Sequence, residues 1–207
     1  MRNILSSGIF VGSLLAPLLL VGCDTSQAPQ NIQASEQQLQ QESEKANAYF
    51  EDTFMRNVMR SPVYQTYLGI KTDYDKWDDD SEERALEDHE LAKSDLAKLS
   101  KINYNFLTED TKVSYNLFKQ QLEESIEDFK WRHHDYPVNQ MFGTHTMIPS
   151  FLINQHQITD LSDAKAYVSR INGVAAVIDQ LIIDLKTRAA KGIITPKFVF
   201  PHAFSSS

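Results

Sequence analysis

The chain has 207 residues, 42% hydrophobic and 23% charged. That is length for one domain or part of one, and enough apolar content to exclude general disorder. The formal net charge of −8 argues against nucleic acid as a partner, because such proteins present a basic face. The single cysteine, Cys23, excludes an internal disulfide.

Residues 1–22 carry a positive residue, Arg2, then an apolar run over 4–21 and a small residue, Gly22, before the cysteine. This is the layout of a secretory signal. Leu20-Val21-Gly22-Cys23 resembles a bacterial lipobox, in which the cysteine sulfur is alkylated by the lipid donor and the peptide is cut before it. The competing reading is a plain transmembrane anchor. Ser6, Ser7, Gly8, Gly12, Ser13 and Pro17 interrupt the run and favour the lipobox. Several acyl chains anchor firmly where one chain binds only marginally. Asp24 resembles the inner-membrane retention signal of enteric-type lipoproteins. The expected address is therefore the bacterial envelope, lipid-anchored through Cys23 and facing the periplasm. Residues 23–35 are polar with one proline and read as a flexible tether.

Ser35-x-x-Gln38 resembles a capping box. Behind it Leu39, Ala46, Phe50, Phe54 and Val58 mark one face of a helix ending near Arg60. Ser61-Pro62 opens a short helix that stops at Gly69. Residues 70–80 read as a loop with Trp77 anchored on the core. The acidic run Asp78–Asp80 with Glu82 and Glu83 reads as a solvated helix start, since it lacks the glycine and spaced ligands of a calcium loop. Ser81 caps the next helix, where Ala85, His89, Ala92, Leu96 and Leu99 share a face. His89-Glu90 imitates the start of a zinc-protease HExxH, but position 93 is lysine, a cation and a poor ligand.

Thr108 caps a helix over 109–131, with Tyr115, Phe118, Leu122, Ile126 and Phe129 as its buried stripe and Val113 and Leu117 broadening it. Glu123 and Glu124 are sequence neighbours that diverge on a helix, so they form no glycosidase pair. Residues 136–157 break the pattern. Pro137, Gly143 and Pro149 punctuate a polar-aromatic stretch that reads as one long ordered loop across the helices, the kind of segment that lines binding sites. His133, His134, His145 and His156 cluster in sequence, at spacings that match no standard metal site. His145 is the one to watch, because a Gly-x-His turn can present an imidazole into a cleft. Asp160 or Ser162 caps a last helix over 163–191, roughly 40 Å long. Its stripe is Tyr167, Ile171, Val174, Ile178, Leu181 and Leu185; Val168, Ala175 and Ile182 widen it beyond a coiled-coil seam, which favours a bundle. Gly192 and Pro196 end it. Phe198, Val199, Phe200 and Phe204 then have no evident place to pack, as expected of a truncated piece of something longer.

Pro62 with Leu68-Gly69, Ser114-Tyr115-Asn116-Leu117-Phe118, the run from Tyr136-Pro137-Val138-Asn139-Gln140-Met141 through Gly143-Thr144-His145 to Pro149, and Tyr167 through Lys191-Gly192-Ile193-Ile194-Thr195-Pro196 form an ordered set. Together they resemble the N-terminal part of the bacterial family called domain of unknown function 885. That resemblance implies a mostly helical, gluzincin-like zinc peptidase whose metal site, a His-Glu pair with a following Pro-Gly-His, lies downstream of this region. Zinc is thus expected in a complete family member and no cofactor in this chain. The implied partners are the membrane through Cys23 and a peptide substrate in the complete protein. His145, Gly143, Gln140 and Asn139 are the candidate cleft-lining residues; catalytic and metal residues have no candidates here.

The expected fold is all-α, an irregular bundle of about four to five helices with one long ordered loop, covering residues 36–207. The leading expectation is a helical scaffold, inactive alone, of a membrane-anchored metallopeptidase-like lipoprotein. The alternatives are a non-catalytic periplasmic lipoprotein that binds a partner or envelope component, and a short product with no function.

Overall fold

The computed structural model describes residues 35–139 and 141–201. The fold is all-α. Among the described residues there are six α-helices: α1 Glu36–Met59, α2 Pro62–Tyr67, α3 Glu82–Leu99, α4 Glu109–Asp128, α5 Thr144–Asn154 and α6 Leu161–Ala190. Short 3₁₀ turns stand at Tyr104–Phe106, Phe129–Trp131 and Lys197–Val199.

The caps follow the expected chemistry. Ser35 and Gln38 form the reciprocal capping box of α1, and Ser61 and Ser81 accept the N–H groups of Tyr64 and Arg84. Asp160 caps α6 by accepting from Asp163 N–H. Gly69 and Gly192 take positive φ at 74° and 78°, the left-handed conformation that ends a helix without a Cβ penalty. Thr108 departs from the pattern. Its hydroxyl is 2.9 Å from that of Thr111, while its N–H donates to Ser43 Oγ at 2.8 Å. A buried serine of α1 thereby fixes the start of α4.

Two packed regions result. In the first, α1, α3 and α4 bury Ala46, Leu99, Ile102, Leu107, Tyr115 and Leu122, with Tyr49, Phe50 and Phe118 edge-on around them. Arg56 crosses from α1 to the buried Asp95 of α3. In the second, α5 and α6 pack beside α2 and the segment 70–80, which lies over them as a strap: Phe151 of α5 meets Tyr67 and Trp77, Tyr74 stacks on His156, and Ile148, Phe151, Leu152 and Tyr74 are buried.

Three expectations are corrected. The stretch 136–157 is not one long loop: residues 144–154 are helical, with Pro149 inside α5. Proline there removes the bond to the His145 carbonyl and crowds that carbonyl with its ring, and burial of Ile148, Phe151 and Leu152 at helical spacing outweighs the cost. On α4, Val113 and Leu117 do not broaden the buried stripe; they are exposed. Val199 does find a place, buried on its 3₁₀ turn, while Phe198 and Phe200 stay exposed.

Candidate functional site

The stripe of α6 carries a guanidinium. Arg170 lies three residues after Tyr167 and four before Val174, on the face turned toward the strap, and its side chain is fully buried at 0% exposure. Its Nε donates to Lys76 O at 2.9 Å, Nη1 lies 3.0 Å from His156 Nδ1, and Nη2 donates to Thr66 Oγ1 at 2.8 Å and Pro62 O at 3.2 Å. No carboxylate is among these partners. The rings of Phe151, Tyr74 and Trp77 surround the cation at 4.8, 5.2 and 5.8 Å, where a desolvated guanidinium gains from ring faces. Burial pushes its pKa down, opposed by Tyr74, Asp78 and Asp75. One buried cation thus joins α2, the strap, α5 and α6.

His156 follows from that arrangement. Its Nδ1 faces an N–H of Arg170, and its Nε2 faces Asp163 O at 3.1 Å. The ring must therefore be the neutral Nε2–H tautomer. Tyr74 stacks on it at 4.1 Å and Tyr167 meets it edge-on. Burial, first of all, holds its pKa below the usual value. The carboxylate of Asp163 receives Lys71 Nζ at 2.7 and 2.8 Å and both the N–H and hydroxyl of Thr159. These bonds, that of Lys71 above all, hold it well below the ordinary carboxylate range. Trp77 completes the node by donating to Arg170 O at 2.8 Å. Gly173 makes room for it, since a Cβ there would lie 3.0 Å from Trp77 Cδ1.

The strap borders two open clefts. One, of about 430 Å³, lies between its end, α3, α6 and the turn before α5, and is lined by Asp79, Asp80, Asp88, Asp135 and Asp184 with Arg84 and Arg188. Both guanidiniums are engaged: Arg84 with Asp88 and Arg60 O, Arg188 with Asp135 and Arg132 O. Asp80 remains exposed as a residue, yet desolvation of its carboxyl and then the charges of Asp78, Asp184 and Asp79 push its pKa up. The other cleft, of about 410 Å³, lies between Lys71, Tyr74 and Asp75 of the strap and the first turns of α6.

Asn139 and Gly143 line a third cleft, of about 600 Å³, with Tyr136, Met141, Phe142 and Met147. Asn139 Oδ1 accepts the N–H groups of Met141 and Phe142 at 2.8 Å and closes the turn between Val138 and Gly143. His145 is not in this lining. Its ring lies against Gly143, where a Cβ would be 2.6 Å from Nδ1, and both of its nitrogens are buried without a hydrogen-bond partner among the described residues. Gln140, Cys23 and the segments 1–34 and 202–207 lie outside the described residues.

The described residues do not fit a zinc ion. No three His, Cys, Asp or Glu groups among them converge to hold a metal. His89 stacks flat on Phe129 at 3.9 Å, Glu90 is paired with Lys93, and both nitrogens of His156 are committed. His133 lies 3.4 Å from Glu82, and His134 meets the edge of Trp131.

The polar node was missed in the sequence, although it left a trace: Arg170 occupies a register position of an otherwise apolar stripe. Neither a curated protein nor a solved structure matches the chain. Residues 62–207 match a family described as bacterial protein of unknown function, DUF885. The match begins at the proline that opens α2 and takes in the strap, the node and all three clefts, so the chain belongs to the DUF885 family.

Proposed function

We propose that this chain is the N-terminal helical scaffold of a membrane-anchored, metallopeptidase-like lipoprotein, inactive by itself, whose zinc site lies beyond it. The observation that carries this reading is the outer face of α6. Val168, Ile171 and Ile182 recur on one stripe and are 55%, 47% and 42% exposed, with Ile183 beside them at 55%. Apolar stripes of this length are normally covered by another element. α6 is also long and apolar enough to cross a membrane by length and composition, but Arg170 and Arg188 tie it to the strap and to Asp135. A scaffold that receives further helices accounts for both facts. The same stripe also suits the second reading, a non-catalytic periplasmic lipoprotein that docks a partner.

Zinc content separates the two. The full chain in nonionic detergent should carry no zinc, while the product of a reading frame extended past Ser207 should carry about one zinc per molecule and cleave peptides. Stoichiometric zinc on this chain alone would overturn the scaffold reading. An extended product with neither zinc nor hydrolysis would remove the peptidase and leave the partner-binding lipoprotein.

A further inference from the structure

We infer that the contact between His156 and Arg170 is an acid-sensitive latch: protonation of His156 releases α2 and strap residues 72–80 from α5 and α6, with the Lys71–Asp163 pair left as the hinge, and leaves the α1–α3–α4 core folded. The geometry sets the condition. Nδ1 of His156 is an acceptor for Arg170 Nη1 at 3.0 Å, and Nε2 is already spent on Asp163 O. A second proton has only Nδ1 to occupy. There it would point an N–H at an N–H and place a cation beside a buried guanidinium that has no carboxylate partner.

The surroundings decide how far the effect reaches. Facing His156 from α6 are Arg170, Asp163 and Tyr167; from the strap, Tyr74 and Lys71. Asp163 favours the protonated ring, but its carboxylate is occupied by Lys71 and Thr159. Lys71 and Arg170 disfavour it, and burial adds to them. Asp75 and Asp78 of the strap lie near Arg170 rather than beside the ring. Asp78 is bonded to Ser61 Oγ and Val63 N–H, and Asp73 to Gln65, so the strap is pinned to α2. Strap and α2 therefore form one unit and α5 with α6 the other. They meet at the node, with Arg170 on Lys76 O, Pro62 O and Thr66, Trp77 on Arg170 O and Tyr74 OH on Gln157 O, and at the Lys71–Asp163 ion pair. Because the far end of the strap lines the cleft at Asp79–Asp80, its release would open that cleft, while the Lys71–Asp163 pair keeps the other closed.

The sign of the pH dependence follows. A histidine whose folded pKa lies below its unfolded value of about 6.5 favours the closed form above that pH. The closed form weakens as pH falls through 6.5 toward the folded pKa. The Lys71–Asp163 pair survives that window, because the carboxylate titrates far lower.

Trp77 and Trp131 are the two tryptophans, so the full chain with Trp131→Phe in nonionic detergent reports on Trp77 alone. Titrated from pH 8 to 4.5, its emission should shift to the red with a midpoint below 6.5. Amide exchange in the strap, corrected for intrinsic rate, should rise at least tenfold while that of α4 stays unchanged. His156→Asn keeps an acceptor but gains no proton, and should abolish the transition. Should that variant fail to fold, ring ¹⁵N shifts of the unaltered chain decide the matter: His156 should be the Nε2–H tautomer and titrate below 6.5. A transition that persists in His156→Asn would refute the latch. So would the absence of any transition, core amides opening in step with the strap, or a His156 that titrates at or above 6.5.

Discussion

Replacing Arg170 by methionine tests whether the buried guanidinium is a structural keystone. Methionine keeps much of the volume and the contact with Phe151, Tyr74 and Trp77. It leaves two acceptors without donors, the partly buried Lys76 O and the buried His156 Nδ1. Pro62 O keeps a donor, the Thr66 hydroxyl at 3.0 Å. Each orphaned acceptor costs about 1–3 kcal/mol. Relief from burying an unpaired cation offsets part of that, since apolar replacements of buried charges are sometimes neutral. The expected net loss is about 3 kcal/mol, a large share of the roughly 5–15 kcal/mol that holds a domain folded. Urea unfolding of the full chain in nonionic detergent, followed by far-ultraviolet circular dichroism at pH 7.5, would measure it. Arg170→Met/His156→Leu should lose at least about 1 kcal/mol less than the sum of the two single changes, because the second substitution removes the orphaned nitrogen. A loss below about 1 kcal/mol for Arg170→Met, or strict additivity in the cycle, would refute the keystone role.

Two further substitutions have measurable outcomes. Gly173→Leu fills the notch that seats Trp77, where even a Cβ would lie 3.0 Å from the indole; overpacking of about 1–3 kcal/mol should destabilise the chain and shift Trp77 emission to the red at neutral pH. Cys23→Ser removes the only thiol and should abolish incorporation of labelled fatty acid and move the protein from the membrane fraction to the periplasmic fraction; unchanged labelling would refute lipidation at that residue.

The α1–α3–α4 region was legible because its information is local. Ser35 and Gln38 form a box three residues apart, Ser81 stands before two glutamates, and Ala46, Tyr115, Leu122 and Leu99 recur at helical spacing. The second region depends on less local facts. Pro149 reads as a breaker until the cost of one lost hydrogen bond and a crowded carbonyl is set against burial of Ile148, Phe151 and Leu152. Val113 and Leu117 satisfy helical periodicity and are still exposed, because a pattern records which residues could be buried, not how many neighbours arrive to bury them.

The node lay furthest from sequence reasoning for a related reason. Arg170 meets Lys76, His156, Thr66 and Pro62, partners between 14 and 108 residues away. Two of these contacts are to main-chain carbonyls, which any residue type supplies. Such a site has no motif, and a histidine in it looks like any other: His156 belongs to the same run as His133, His134 and His145, yet it alone has both nitrogens committed to named partners. The readable trace is an inconsistency, a guanidinium in the register of Tyr167 and Val174 on a helix whose other stripe positions are apolar. A charge in an apolar register means either that the face is solvated or that the fold has built a polar pocket around it. On α6 both conditions occur along one helix. The first turns close over Arg170, while Ile182 and Ile183 three to four turns later remain open to another element.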